Sequence, residues 1–263
     1  MKKPEQSPAA RLRSMHDALF AAYGPQHWWP AKTPFEVILG AYLTQNTSWK
    51  AVERSLENLR AAGALTVAGL RALSLEELQR LIQPSGFYTR KAPSLKAFLA
   101  LLDAEYNGSL RRMAAAPTEK LRPQLLALPG VGQETADAIL LYAFGHAVPV
   151  ADEYLRRIVA RHGLASPPNL SQSTAHGRIR YEALSALTQE AFAADSPAHH
   201  AKLFNEFHAL TVAAGKAHCG RTPRCASCPL HADLQFGMRK SRKLITENSS
   251  TPPSARPRPA IVI

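Results

Sequence analysis

Apolar positions recur at helical rather than alternating spacing along nearly the whole chain. Leu12, Met15, Leu19 and Phe20 form one stripe, which predicts a helix over residues 11–23. Phe35 to Leu43 is apolar on every side and predicts a buried helix, followed by the polar run Thr44-Gln45-Asn46-Thr47-Ser48. Another helix is expected from about Trp49 to Ala62. Ser74-Leu75-Glu76-Glu77 has capping-box spacing and opens a short helix to Ile82. Beyond the Pro84-Ser85-Gly86 turn, Leu95, Phe98, Leu99 and Leu102 mark a helix from near Thr89, and Pro117-Thr118-Glu119 opens the next. Helices are then predicted over Glu134 to Phe144 and Glu153 to His162. Two longer ones run from about Gly177 to Ala193 and from Ala198 to Gly215, after a polar linker at 166–173. No stretch alternates as a strand would, so the expected fold class is all-α.

Composition adds a partner class and removes others. The 263-residue chain carries a formal net charge of +12, which favours a polyanionic partner. Five of those charges fall on residues 239–263, a basic, Pro- and Ser-rich tail expected to be disordered, as are residues 1–10. No apolar run is long enough to span a membrane, and the charged start lacks a secretory apolar core, so a cytoplasmic, nucleoid-associated protein is expected. All three cysteines fall between 219 and 228, which argues for a local metal site rather than a disulfide framework.

Two segments carry candidate chemistry. In Leu128-Pro129-Gly130-Val131-Gly132-Gln133-Glu134-Thr135, two glycines lie in a turn that opens a helix. Glycine lets backbone amides approach an anion there, and the helix dipole favours negative charge. Gly130, Val131, Gly132 and Thr135 are therefore candidate phosphate-binding residues; the plain alternative is a corner between two helices with no ligand. Asp152 stands just before a predicted helix, where aspartate is a favoured N-cap. Capping and catalysis are compatible at such a position. Trp28, Trp29 and Trp49 are candidate aromatic walls of a binding pocket, which the resemblance described below would make a base pocket, or core residues. Arg90 and Lys91, beside the Gly86 turn, are candidate phosphate contacts or solvated charges.

Taken in order, Gln45-Asn46-Thr47, Gly86-Phe87-Tyr88 with Lys91-Ala92, the glycine hairpin and Asp152 resemble the helix–hairpin–helix (HhH-GPD) DNA glycosylase superfamily, nearest endonuclease III. The resemblance covers about Phe35 to Cys228. It implies two helical lobes within residues 11–238: a six-helix lobe at about 33–147, and a second from 11–32 with 148–216. A cysteine loop at 217–238 follows, and Asp152 lies at a cleft between the lobes. It also implies a monomer acting on double-stranded DNA that contains a damaged base, with Asp152 catalytic and Gln45 as the wedge that fills the gap left by a flipped nucleotide.

Endonuclease III carries a lysine where this chain has Glu134, and that amine forms a Schiff base with the sugar. Glu134 lacks an amine, so the resemblance implies a monofunctional glycosylase. The string Glu134-Thr135-Ala136-Asp137-Ala138-Ile139-Leu140 is similar to the branch that includes bacterial 3-methyladenine-DNA glycosylases, which points to an alkylated purine. A pyrimidine or mismatch glycosylase with AP-lyase activity, and a non-catalytic iron–sulfur or structure-specific DNA-binding protein, are the competing readings. Cys219, Cys225 and Cys228 resemble the family's [4Fe–4S] loop, but its fourth cysteine falls at Leu234. A cluster, a zinc site completed by His231 or His218, and a loop without metal all remain open.

Overall fold

The computed structural model describes residues 6–29, 31–164 and 178–234. The expected disordered tail and the linker at 166–173 lie outside the described residues. Among those described, twelve α-helices and no strand occur. The all-α class therefore holds.

Helix α1 (Pro8–Tyr23) begins inside the stretch expected to be disordered. The Ser7 hydroxyl accepts a hydrogen bond from the Ala10 amide at 3.1 Å, and Pro8 takes the first helical position, where a missing N–H costs nothing. The chain then divides into two compact units. Among the described residues, one holds those up to Trp28 together with those from Pro149 to Leu234; the other begins at Trp29 and ends at Val148. The division falls between Trp28 and Trp29, not at the expected 32/33.

The unit at 29–148 carries α2 (Pro34–Leu43), α3 (Trp49–Ala61), α4 (Val67–Ala72), α5 (Leu75–Ile82), α6 (Tyr88–Tyr106), α7 (Leu110–Ala114), α8 (Thr118–Leu126) and α9 (Gln133–Ala138). These are eight helices where six were expected. The additional ones, α4 and α7, are too short to show a hydrophobic period and are set by their caps, Thr66 and Ser109. Phe35 to Leu43 of α2 is buried throughout, and this helix packs on α3, α6, α9 and the turn after α9. On α5 the capping box forms as expected, with both Ser74–Glu77 bonds made. Helix α9 does not continue to Phe144. It passes into a π-helical turn, Ile139–Ala143, a form that occurs in single turns and often near functional sites.

Lys91 departs most from expectation. It lies in the first turns of α6 but is buried, and its ammonium donates to the carbonyls of Leu43 and Ser85, each at 2.8 Å. It cannot face a phosphate. The carbonyl at the C-terminal end of α2 lacks an intrahelical partner, and Lys91 supplies one. Burial pushes its pKa down to about 8.

In the other unit, α1 packs on α11 (Tyr181–Ala191) and α12 (His200–Ala217), and α10 (Glu153–Arg161) packs on α12. Residues 178–180 precede α11 in non-helical form, so its described part starts later than expected. Gly215 permits the close approach of α12 to α10: a Cβ there would lie 2.2 Å from Cδ1 of Tyr154.

Lys91→Met is expected to destabilise the protein by about 1–3 kcal/mol at pH 7, because two buried carbonyls lose their donor. Between pH about 8 and 10.5 the unfolded chain holds more protons at Lys91 than the folded one, so this group makes stability rise with pH. Urea unfolding at pH 7 and pH 9.5 checks both: the gap between wild type and variant widens at the higher pH.

Candidate active site

The glycine hairpin is built by the turn between α8 and α9. Gly130 has φ +76, and a Cβ on it would stand 2.8 Å from the Ser94 hydroxyl of α6. Only glycine fits there. Gly132 differs: it is the extended N-cap of α9 and nothing lies within 4 Å of its absent side chain. The α9 N-terminus is thus left open at this point. Val131 is buried and anchors the turn. Arg122 of α8 clamps the buried Asp137 of α9 through bonds of 2.7 and 3.0 Å, which fixes the angle of the hairpin. This pair was not anticipated; the sequence signal was an acid inside an otherwise apolar helix.

Gln45 meets the hairpin. Its amide nitrogen donates to the Gly130 carbonyl at 3.0 Å and to the Thr135 hydroxyl at 2.9 Å. Thr135 is buried and turned toward Gln45. Arg90 is exposed, as a phosphate contact requires, whereas Lys91 is spent inside the unit.

The tryptophans separate. Trp29 packs edge-on against Trp49 at 5.6 Å and lies 5.1 Å from Tyr142, in the π-helical turn. Gly40 makes room for this indole, because a Cβ there would stand 3.3 Å from it. Trp49 donates to Glu53 at 2.8 Å. Trp28 belongs to the other unit, where the Lys216 ammonium lies 5.6 Å from its ring centre. Neither Tyr142 nor Lys216 was anticipated.

Asp152 is the N-cap of α10, and its Oδ1 accepts the Leu155 amide at 2.8 Å. The side chain is buried, and its Oδ2 stands 3.5 Å from His208 Nε2 on α12. Tyr154, two residues on, has its pKa raised by burial first and by the Asp152 charge second, with Arg157 opposing. A carboxylate here is fixed by the backbone, shielded from bulk water and set where the helix dipole favours negative charge. Such a group suits the stabilisation of a positive charge that develops beside it.

The cysteine loop does not match a four-thiolate site. Cys219, Cys225 and Cys228 are free and half-buried, and among the described residues no three His, Cys, Asp or Glu side chains converge where an ion would sit. Leu234, at the expected fourth position, is a buried apolar residue. His231 is exposed, and His218 lies 3.4 Å from the Ser227 hydroxyl. Arginines bond to the loop. Arg157 donates to the Cys219 carbonyl at 3.0 Å; Arg161 donates to the Gly220 carbonyl at 2.8 Å and to the Cys219 sulfur at 3.0 Å. Asp233 beyond it binds Arg11 and His162.

A family model described as HhH-GPD superfamily base excision DNA repair protein matches residues 39–179. The chain is 35% identical to a protein of Methanocaldococcus jannaschii provisionally named a DNA repair glycosylase, over 83% of this chain and 93% of that one. Identity to endonuclease III of Bacillus subtilis is 27%, over 80% of this chain and 84% of that protein. A crystal structure of the H. pylori 3-methyladenine DNA glycosylase bound to 1,N6-ethenoadenine superposes with a TM-score of 0.66 at 26% identity, covering 80% of this chain and 98% of that one. A non-covalent endonuclease III–DNA complex superposes at 0.67 with 23% identity, over 89% and 98%, and shows the same fold.

Because arginines bond to the loop, Arg161→Ala is expected to lower Tm by about 2–4 °C. Thermal melts of wild type and variant check this; an unchanged Tm would contradict it.

Proposed function

Because the chain belongs to the HhH-GPD superfamily of base excision DNA repair proteins, we propose that it is a monofunctional DNA glycosylase that hydrolyses the N-glycosidic bond of a flipped, alkylated purine. The observation that carries this reading is the Asp152 carboxylate, buried and bonded to the head of α10. When the glycosidic bond breaks, the deoxyribose gains oxocarbenium character. A fixed anion beside it stabilises that charge without having to reorganise, and it positions the water that completes hydrolysis.

No amine stands at position 134, which is Glu134, and the Lys91 amine is engaged with two carbonyls. Strand cleavage through a Schiff base has no evident nucleophile among these groups. The Gly130–Gly132 turn, with its open N-terminus at α9, serves to hold one backbone phosphate through amides. Gln45, seated on that same turn, serves as the wedge, and exposed Arg90 adds a phosphate contact.

The alkylated purine is favoured by the indoles. An alkylated purine is cationic and electron-poor, and stacking against an aromatic face is worth about 1–3 kcal/mol per base. The Trp28 face already accepts a cation, the Lys216 ammonium. Trp29, which packs on both Trp49 and Tyr142, forms a second aromatic surface with them. Similarity to the H. pylori enzyme, whose own description names 3-methyladenine, points the same way.

Two measurements test this. On DNA methylated with dimethyl sulfate, wild-type protein is expected to release methylated purines, and Asp152→Asn to slow release by about 10²–10³-fold while still binding the DNA. Borohydride is expected to trap no covalent adduct. Unchanged release by the variant removes the mechanism, and efficient trapping removes the monofunctional assignment.

A further inference from the structure

Asp152 has two carboxylate oxygens, and the N-cap accounts for one. A single hydrogen bond to Oδ1 restrains the carboxylate at one oxygen and leaves Oδ2 to a second partner. The group that meets the other oxygen comes from a distant part of the sequence. His208, Thr211 and Gly215 share one face of α12 at helical spacing, and all three are buried. Gly215 receives the Tyr154 ring of α10. About two turns toward the N-terminus, the same face delivers His208 Nε2 to 3.5 Å from Asp152 Oδ2. Thr211 donates to the His208 carbonyl at 2.8 Å and stiffens the turn that carries it. The absence of a side chain at residue 215 thus sets the distance between residues 152 and 208.

We propose that His208 is a positioning residue for the reaction: its Nε2–H donates to Asp152 Oδ2 and, with the Leu155 amide on Oδ1, fixes the plane of the carboxylate. At 3.5 Å the contact is long for a hydrogen bond, and catalytic contacts of this kind often tighten only when substrate binds. The imidazole does not touch the sugar. It acts by fixing the carboxylate, so its loss lowers the stabilisation of the sugar cation more than the grip on DNA. This inference rests on the assignment of Asp152 to the reaction and adds a second residue to it.

The test compares two duplexes that need no knowledge of the damaged base. One carries a cationic pyrrolidine at an abasic position, which mimics the charged sugar; the other carries a neutral tetrahydrofuran. Wild-type protein is expected to prefer the pyrrolidine duplex by on the order of 10²-fold, and Asp152→Asn to abolish that preference. His208→Ala and His208→Asn, which cannot reach Oδ2, are expected to cut the preference about tenfold with tetrahydrofuran binding essentially unchanged. His208→Gln, whose amide nitrogen reaches about as far as Nε2, is expected to keep it. A wild-type preference in His208→Ala overturns the proposal. So does an equal weakening on both duplexes in all three variants, which is the mark of packing alone. If wild type shows no preference, or Asp152→Asn retains it, the assignment of Asp152 fails first and is distinguished by that outcome.

Discussion

The hydrogen bond from the Leu155 amide to Asp152 is the constraint on which the account depends. It belongs to the ordinary grammar of helix starts: an aspartate in extended conformation takes a free amide of the first turn. Its consequence is less ordinary. The cap is buried, so the carboxylate that starts α10 is held in one place with little water around it. A group required to stabilise a developing positive charge gains from both conditions, since its dipoles are set before the charge appears. The packing of α12 on α10 through Gly215 and Tyr154 keeps this environment closed.

The unit at 29–148 organises the DNA-facing candidates around α6. Ser94 of α6 lies against Gly130 and demands a glycine there. Three residues earlier, Lys91 binds the carbonyl of Leu43 at the end of α2, two residues before Gln45. Gln45 in turn bonds to Gly130 and Thr135. The loop bearing Gln45 and the hairpin are thereby referred to one rigid helix, and the Arg122–Asp137 pair sets the two arms of the hairpin. The phosphate-binding role proposed for this turn would require it to resist distortion, and breaking a buried charge pair on one side is costly.

Much of this was legible in the sequence because local rules were strong. The apolar run of α2 and the capping box of α5 are decided by neighbours in sequence, and the positive φ of Gly130 by its own turn, although Ser94 adds a distant demand for the same residue. Asp152 was legible for the same reason, since its cap partner is Leu155. The parts that escaped depend on distant partners or on brevity. Helices α4 and α7 are too short to carry a period, and α1 extends to Pro8 because of one serine. Lys91 reads as a surface charge until the end of α2 is placed beside it. Tyr142 enters the aromatic cluster through a π-helical turn, which no apolar pattern announces. His208 had a readable sign: it sits on the stripe that Thr211 and Gly215 continue, a polar residue on a buried face.

The most direct measurement is a crystal structure of the protein on a duplex in which a positively charged pyrrolidine ring replaces the sugar of the damaged nucleotide. An Asp152 carboxylate oxygen is expected within about 3–3.5 Å of the ring nitrogen, in near-attack range, with the Leu155 amide still on Oδ1. A carboxylate turned into the packed interior, with the ring charge met by some other group, would contradict it.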